Sequence, residues 1–209
     1  MVDETQILRD CSGLAILHVL RSGLHSPSAS GSGVVVSQSD AGKWSGASAI
    51  LVDFDLPQGV DVADIIIVLN HKDHLTALSS PNVILGKALT IESGPMPQSD
   101  TLSGQLHNMP HATDRAFFYA KSQGQLVELD LGTMIVRTAD EENERFYGVH
   151  GVSQTQILSG QVGTPFDASD YLYSTLDALT QQSMHMSGLP GSGKCPGDCR
   201  VKAPVTTEV

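Results

Sequence analysis

Four aspartates, Asp53, Asp55, Asp61 and Asp64, crowd around the turn Pro57-Gln58-Gly59. A hard cation such as Ca²⁺ takes several carboxylate and carbonyl oxygens, so these are candidate metal ligands. Their spacing does not follow the EF-hand loop, and a solvated acidic rim is the competing reading. Imidazoles offer a second chemistry. His71 and His74 share one predicted helix, while His107 and His111, with Asp114, lie in a long loop. Neutral imidazole is an ordinary zinc ligand, but a site needs the two pairs to converge from separate elements. His18 falls inside an apolar run, where a hydrogen-bonded core role is expected.

Thiols are a third possibility. Cys11 ends a predicted helix and has no obvious basic neighbour to lower its pKa, so burial is its expected fate. Cys195 and Cys199 sit in a Gly-Pro stretch and supply at most half of a zinc site. The same region contains "GLPGSGKC" at 188–195, which reads G-x-x-x-x-G-K and then Cys. A phosphate loop needs Ser or Thr in that last place to hold Mg²⁺, a strand before it and a helix N-terminus after it. Here "QQSMHMS" precedes and "PGDC" follows, and Pro-Gly breaks a helix at once. No nucleotide is expected at 188–195, and no cofactor elsewhere. "SGASA" lacks the G-x-S-x-G nucleophile elbow, and no catalytic group stands out.

Composition narrows the function classes. The chain has 209 residues, of which 40% are hydrophobic, enough for the core of one domain. Its 12 Lys and Arg against 23 Asp and Glu give a formal charge of -11. Nucleic-acid binding rests on neutralising phosphates, and the scattered basic residues here argue against it. The same deficit opposes strong attraction to an anionic membrane. No apolar run approaches the roughly 18 residues of a spanning helix. The N-terminus is acidic where a signal peptide is basic. A cytoplasmic protein with reduced thiols is the expectation.

The elements that would position these groups are mostly strands. Compact runs rich in β-branched residues recur: "LAILHVL", "GVVV", "SAILV", "DIIIVL", "NVIL", "LTI", "AFFY", "LVELDL" and "MIVR". "DIIIVL" is apolar on both faces, which predicts a central strand. "SDAGK" at 39–43 and "SQG" at 122–124 read as hairpin turns. Trp44 follows the first of these turns, where it either packs across the sheet or stacks on a ligand. A first helix is predicted over 3–11, capped by Asp3. Asn70 is the expected N-cap of "HKDHLTAL". Thr138 with Glu141, and Ser153 with Gln156, stand in capping-box positions, and Gly148 and Gly160 can end those helices. Pro165 is expected at the first position of a last helix carrying Leu172, Leu176 and Leu179. The acidic run Asp140, Glu141, Glu142 and Glu144 suits the positive end of a helix dipole. The predicted whole is a single α+β domain over 1–182, followed by a flexible tail over 183–209. Its sheet is mainly antiparallel and twisted, with partial closure into a barrel left open, and four or five short helices accompany it. Residues 93–114 form a long internal loop.

The order of the pieces carries a resemblance. "DCSGLAILHVLRSG", "GSGVVV", "GKWSGASAI", "DIIIVLN", "NVILGKALTIESGP", "FYAKSQG", "RFYG" and "ILSG" follow one another over residues 7–165. In this the chain resembles the SYLF domain family, lipid-binding and actin-regulating modules of fungal cortical actin proteins and their animal and plant relatives. The resemblance implies binding rather than catalysis, with a membrane lipid (phosphoinositide) or an actin-machinery protein as partner, at endocytic sites of the cell cortex. Gly31, Ser32, Gly33, Trp44, Arg145 and Tyr147 are the residues it marks for ligand binding. Ala29 and Gln98 stand where an Arg is typical of the family. An Arg pairs bidentately with phosphate and neither replacement can, so weakened headgroup binding is expected. Two other readings stay open: a small-molecule binder or enzyme using an apolar pocket with the 93–114 loop as lid, and a homo-oligomeric structural protein.

Overall fold

Strand alternation decides most of the architecture. The computed structural model describes residues 10–23, 26–94, 115–165 and 171–178. Expectations placed on the start of the first helix, on the loop beyond Gly94, on Leu179 and on the tail lie outside the described residues. So do those on Gln98, His107, His111, Asp114, Cys195 and Cys199.

The strands are β1 Gly13–Arg21, β2 Ser28–Ser37, β3 Ser48–Asp55, β4 Val62–Leu69, β5 Asn82–Ile84, β6 Ile91–Ser93, β7 Ala116–Ser122, β8 Gln125–Leu126 and β9 Ile135–Thr138. They form one sheet in the order β5-β9-β3-β2-β1-β4-β7-β6, with β8 beside β7. Every pairing is antiparallel except β6 with β7. The doubly apolar run is indeed central, as β4 between β1 and β7.

The topology forces the sheet to curl. β5 and β6 end opposite edges, yet only residues 85–90 join them. Eight flat strands about 4.8 Å apart would put those edges roughly 34 Å apart. The seven Cα steps from Ile84 to Ile91 reach at most about 25 Å. The edges do not pair, so the sheet is not a closed barrel. Helix α2 (Leu85–Ala88) lies across the seam. There the Leu85 N–H donates to the Met134 carbonyl at 2.8 Å and the Gly86 N–H to that of Gly132 at 3.1 Å.

The concave face holds the main core. Leu17, Val19, Ile50, Val52, Ile65 and Ile67 are all buried there. Burial of each such side chain contributes about 2 kcal/mol. Gly31 and Gly33 face the same side, opposite Val19 and Leu17. Their φ angles are not positive; what requires glycine is close approach, because a Cβ at Gly33 would overlap the Ile16 carbonyl oxygen and the Leu17 side chain. Ser32 points the other way and is exposed. On the convex face, the helix at 171–178, α5, covers one end of the sheet, where Leu176 packs with Cys11, Leu14, Val36 and Val68. Burial pushes the Cys11 thiol up to about 12, so it stays protonated.

Several local expectations change. "LVELDL" joins the sheet only at its start, where Leu126 pairs with Lys121 and the Val127 N–H donates to the Ala120 carbonyl at 3.0 Å; beyond it, Leu131 turns inward and is buried under the seam. The alternation there serves core capping rather than a ladder. Helix α1 (Lys72–Leu78) is capped by His71, whose Nδ1 accepts from the Asp73 N–H at 3.2 Å. Asn70 is occupied elsewhere: its Nδ2 donates to the Arg115 carbonyl at 2.6 Å. Helix α3 (Asp140–Tyr147) starts after Ala139 with no side-chain cap, because Thr138 still pairs with Ile50 in the ladder. Helix α4 (Gln154–Leu158) has the expected capping box of Ser153 and Gln156. Gly148 ends α3 at φ 65°, as expected. Pro165 is not helical. His18 lies on the convex face, with its side chain 57% exposed and its Nδ1 2.6 Å from Asp64 Oδ1; it is not a core residue. The even positions of β1 beyond Leu14 are simply the uncovered ones.

Candidate binding cleft

Three segments far apart in sequence converge on a cleft of about 610 Å³. The end of β2 and the β2–β3 connection supply residues 37–40 and 43–45, α1 with its C-cap supplies Lys72, Leu75, Thr76 and Ser79, and α4 with its exit supplies Thr155 and residues 158–160. The connection is a tight turn. The Gly42 N–H donates to the Ser39 carbonyl at 2.8 Å, Gly42 sits at φ 74°, and Gln38 bridges to Trp44. Only a residue tolerant of positive φ makes that reversal cheaply. The Ser37 hydroxyl donates to the Leu158 carbonyl at 2.5 Å, tying α4 to the end of β2.

The walls are mixed. Leu75, Leu158 and Trp44 give apolar surface, and Trp44 also packs on the Leu14–Val36 cluster with part of its ring. Its indole Nε1 is buried and has no hydrogen-bond partner among the described residues. Lys72 Nζ donates to Asp40 Oδ1 at 2.8 Å. That hydrogen bond, with the ammonium charge, holds the Asp40 carboxyl below its usual range. The Lys43 side chain makes no hydrogen bond or ion pair among the described residues.

Of the residues marked from the sequence, only Trp44 lines this cleft. Gly31 and Gly33 pack in the core, and Ser32 lies on the convex face. Tyr147 is buried, and its hydroxyl donates to the Ala47 carbonyl at 2.8 Å. Burial, then the nearby Tyr173, raises the phenol above its usual range and keeps it a donor. Arg145 borders a separate hollow with Glu141, Glu144 and His150. The cleft residues that sequence reasoning missed are Lys43, Lys72 and the hydroxyls around them. Two of only 12 basic residues fall here, which is a signal only once the fold has joined their segments.

The aspartates do not share a cation position. β2 and β1 separate Asp53 from Asp64, about 14 Å at normal strand spacing. Asp53 pairs with Arg137, Asp61 with Arg21 at 2.9 Å, and Asp64 with His18. The Arg21 guanidinium also takes the carbonyls of Leu56, Pro57 and Val60, the oxygens a calcium ion would need. Among the described residues, no group of three or more acidic, His or Cys side chains could hold a metal. His71 and His74 meet edge to face with centroids 6.2 Å apart. No described helix is long and apolar enough to cross a membrane.

Known proteins share this pattern. The family model described as Ysc84, Las17-binding protein actin regulator, matches residues 52–179. SH3 domain-containing YSC84-like protein 1 of Xenopus laevis is 30% identical over 182 residues, covering 84% of this chain and 52% of that protein. The Homo sapiens protein of the same name is 32% identical, covering 84% of this chain and 51% of its own length. Protein YSC84 of Saccharomyces cerevisiae is 30% identical over 176 residues, covering 82% of this chain and 37% of that protein. The chain thus spans about half or less of the curated relatives it matches. No solved structure matches it.

Proposed function

The chain belongs to the Ysc84 (SYLF) family, and from that premise we propose that it is a non-enzymatic docking module of the actin machinery, cytoplasmic and working at the cell cortex. The carrying observation is the family match over 52–179, whose description is of a Las17-binding actin regulator. The cleft supports the reading: it is open, mixed in chemistry and built on rigid elements, as a protein-docking surface requires.

Phosphoinositide binding is the weaker half of the function in this chain. Ala29, where the family pattern has Arg, faces the core and is only 2% exposed. A methyl group there offers nothing to a phosphate, and the site does not open to solvent.

The test uses purified components. Co-sedimentation with actin filaments and pull-down with a Las17-type protein measure docking, and flotation with phosphoinositide liposomes measures lipid binding. Retention by filaments or by the Las17-type protein, with little flotation, is the expected result. Retention by neither, together with a thermal shift on adding a small hydrophobic ligand, overturns the docking reading in favour of a pocket protein. Tight flotation overturns the weakened-headgroup reading.

A further inference from the structure

We propose that the cleft between the β2–β3 turn, α1 and α4 recognises an acidic peptide segment of a partner protein that also carries a bulky apolar side chain. This rests on the docking reading above and names the chemistry of its contact.

Charge is the first argument. The chain carries -11 overall, yet among the described residues the cleft is lined by Lys43 and Lys72 against a single carboxylate, Asp40. A locally positive cleft on an acidic molecule favours acidic partner segments. Unused donors are the second. Asp40 occupies one hydrogen bond of Lys72, and an ammonium has three. Lys43 is unpaired among the described residues and keeps all its donors. A ligand that satisfies these groups must be rich in acceptors. The third argument is the walls. Leu75, Leu158 and the Trp44 ring need apolar surface on the ligand as well as charge. The volume of 610 Å³ falls within the roughly 300–1,000 Å³ of ligand pockets.

Those features favour carboxylates over phosphate. Among the described residues no arginine lines the cleft to offer the planar fork suited to a phosphate group, and Lys72 already shares its charge with Asp40. Asp40 would repel a dianion more strongly than a spaced carboxylate.

Trp44 is the only tryptophan in the chain, so its fluorescence and its single indole N–H resonance report on the cleft alone. The probes are a capped, Trp-free hexapeptide of glutamates and leucines, its counterpart with lysine for glutamate, inorganic phosphate, and phosphoinositide vesicles. Saturable shifts of both Trp44 signals with the acidic peptide, weakening with salt, are expected, with no response to the lysine peptide. Lys43→Glu should weaken that binding by roughly fivefold. Asp40→Asn should tighten it by freeing Lys72, and Lys121→Glu, on β7, should leave it unchanged. A stronger response to phosphate or vesicles than to the acidic peptide overturns the proposal, as does equal binding by the Lys43→Glu variant. Retention of actin-machinery binding alongside a silent Trp44 would sink this proposal and leave the docking reading standing. A peptide response with no actin-machinery binding would do the reverse.

Discussion

The side chain of Asn143 takes over the ladder of β3 where β9 stops. Its Oδ1 accepts from the Ala49 N–H at 2.7 Å, and its Nδ2 donates to Ser48 Oγ at 3.2 Å. β9 pairs with β3 only from Ile50 onward, so Ala49 faces the first turn of α3 instead of a strand. The helix is thereby fixed to the sheet by a side chain that is 1% exposed.

Asn143→Leu is expected to lower stability by about 2–3 kcal/mol, because it strands a buried backbone N–H and a buried hydroxyl. Denaturant unfolding measures this. A change smaller than about 0.5 kcal/mol would show that the amide does not carry the helix-to-sheet junction.

Gly33→Ala should destabilise by about 2–3 kcal/mol, since the added methyl meets backbone that cannot move away. Ser32→Ala, on the exposed face of the same strand, should be nearly neutral. Equal melting temperatures for both variants would contradict the packing role given to the glycine.

Arg21 binds the loop from Leu56 to Asp61 through four separate contacts, with its side chain only 11% exposed. Arg21→Met keeps the stem but removes the donors. A loss of roughly 2–4 kcal/mol is expected, with faster amide exchange across residues 56–61. Calcium should not rescue the wild-type protein or raise its melting temperature; a calcium-dependent rise would restore the metal reading of the aspartates.

Glu144 accepts from the Gly151 N–H at 2.8 Å, and its other oxygen lies 2.6 Å from His150 Nδ1. The Gly151 bond, then the His150 contact, holds the carboxyl below its usual range. A carboxyl lowered on folding stabilises the protein above its unfolded pKa and loses that effect as pH falls through the folded value. Glu144→Gln should therefore melt lower than wild type at neutral pH, with the gap closing as the pH falls below the usual carboxylate range. A gap that persists in acid would assign the effect to packing instead of charge.

Sequence reasoning reached the local features and missed the distant ones for one reason. "SQG" makes its turn with Gln123 and Gly124 both at positive φ, and Ser153 with Gln156 forms its box, because each device closes within a few residues. His18 reads as core because a period-two pattern marks two faces without saying how far each is covered. α5 packs on Leu14 while His18 is left exposed, and only long-range packing sets that boundary. Asn70 looks like a cap until the Arg115 carbonyl, just before β7, takes its amide from 45 residues away.

Alternating apolar runs in a fixed order determined the α+β class, the central place of "DIIIVL" and the family to which the chain belongs. These depend on local periodicity and on the linear order of segments, which a chain carries before it folds. The tertiary structure alone decided that the sheet curls, that Asp53 and Asp61 are held apart on Arg137 and Arg21, and that Lys43, Trp44, Lys72 and Thr155 line one cleft. Each of those follows from strand order, because neighbours across a sheet are set by pairing and not by distance along the chain.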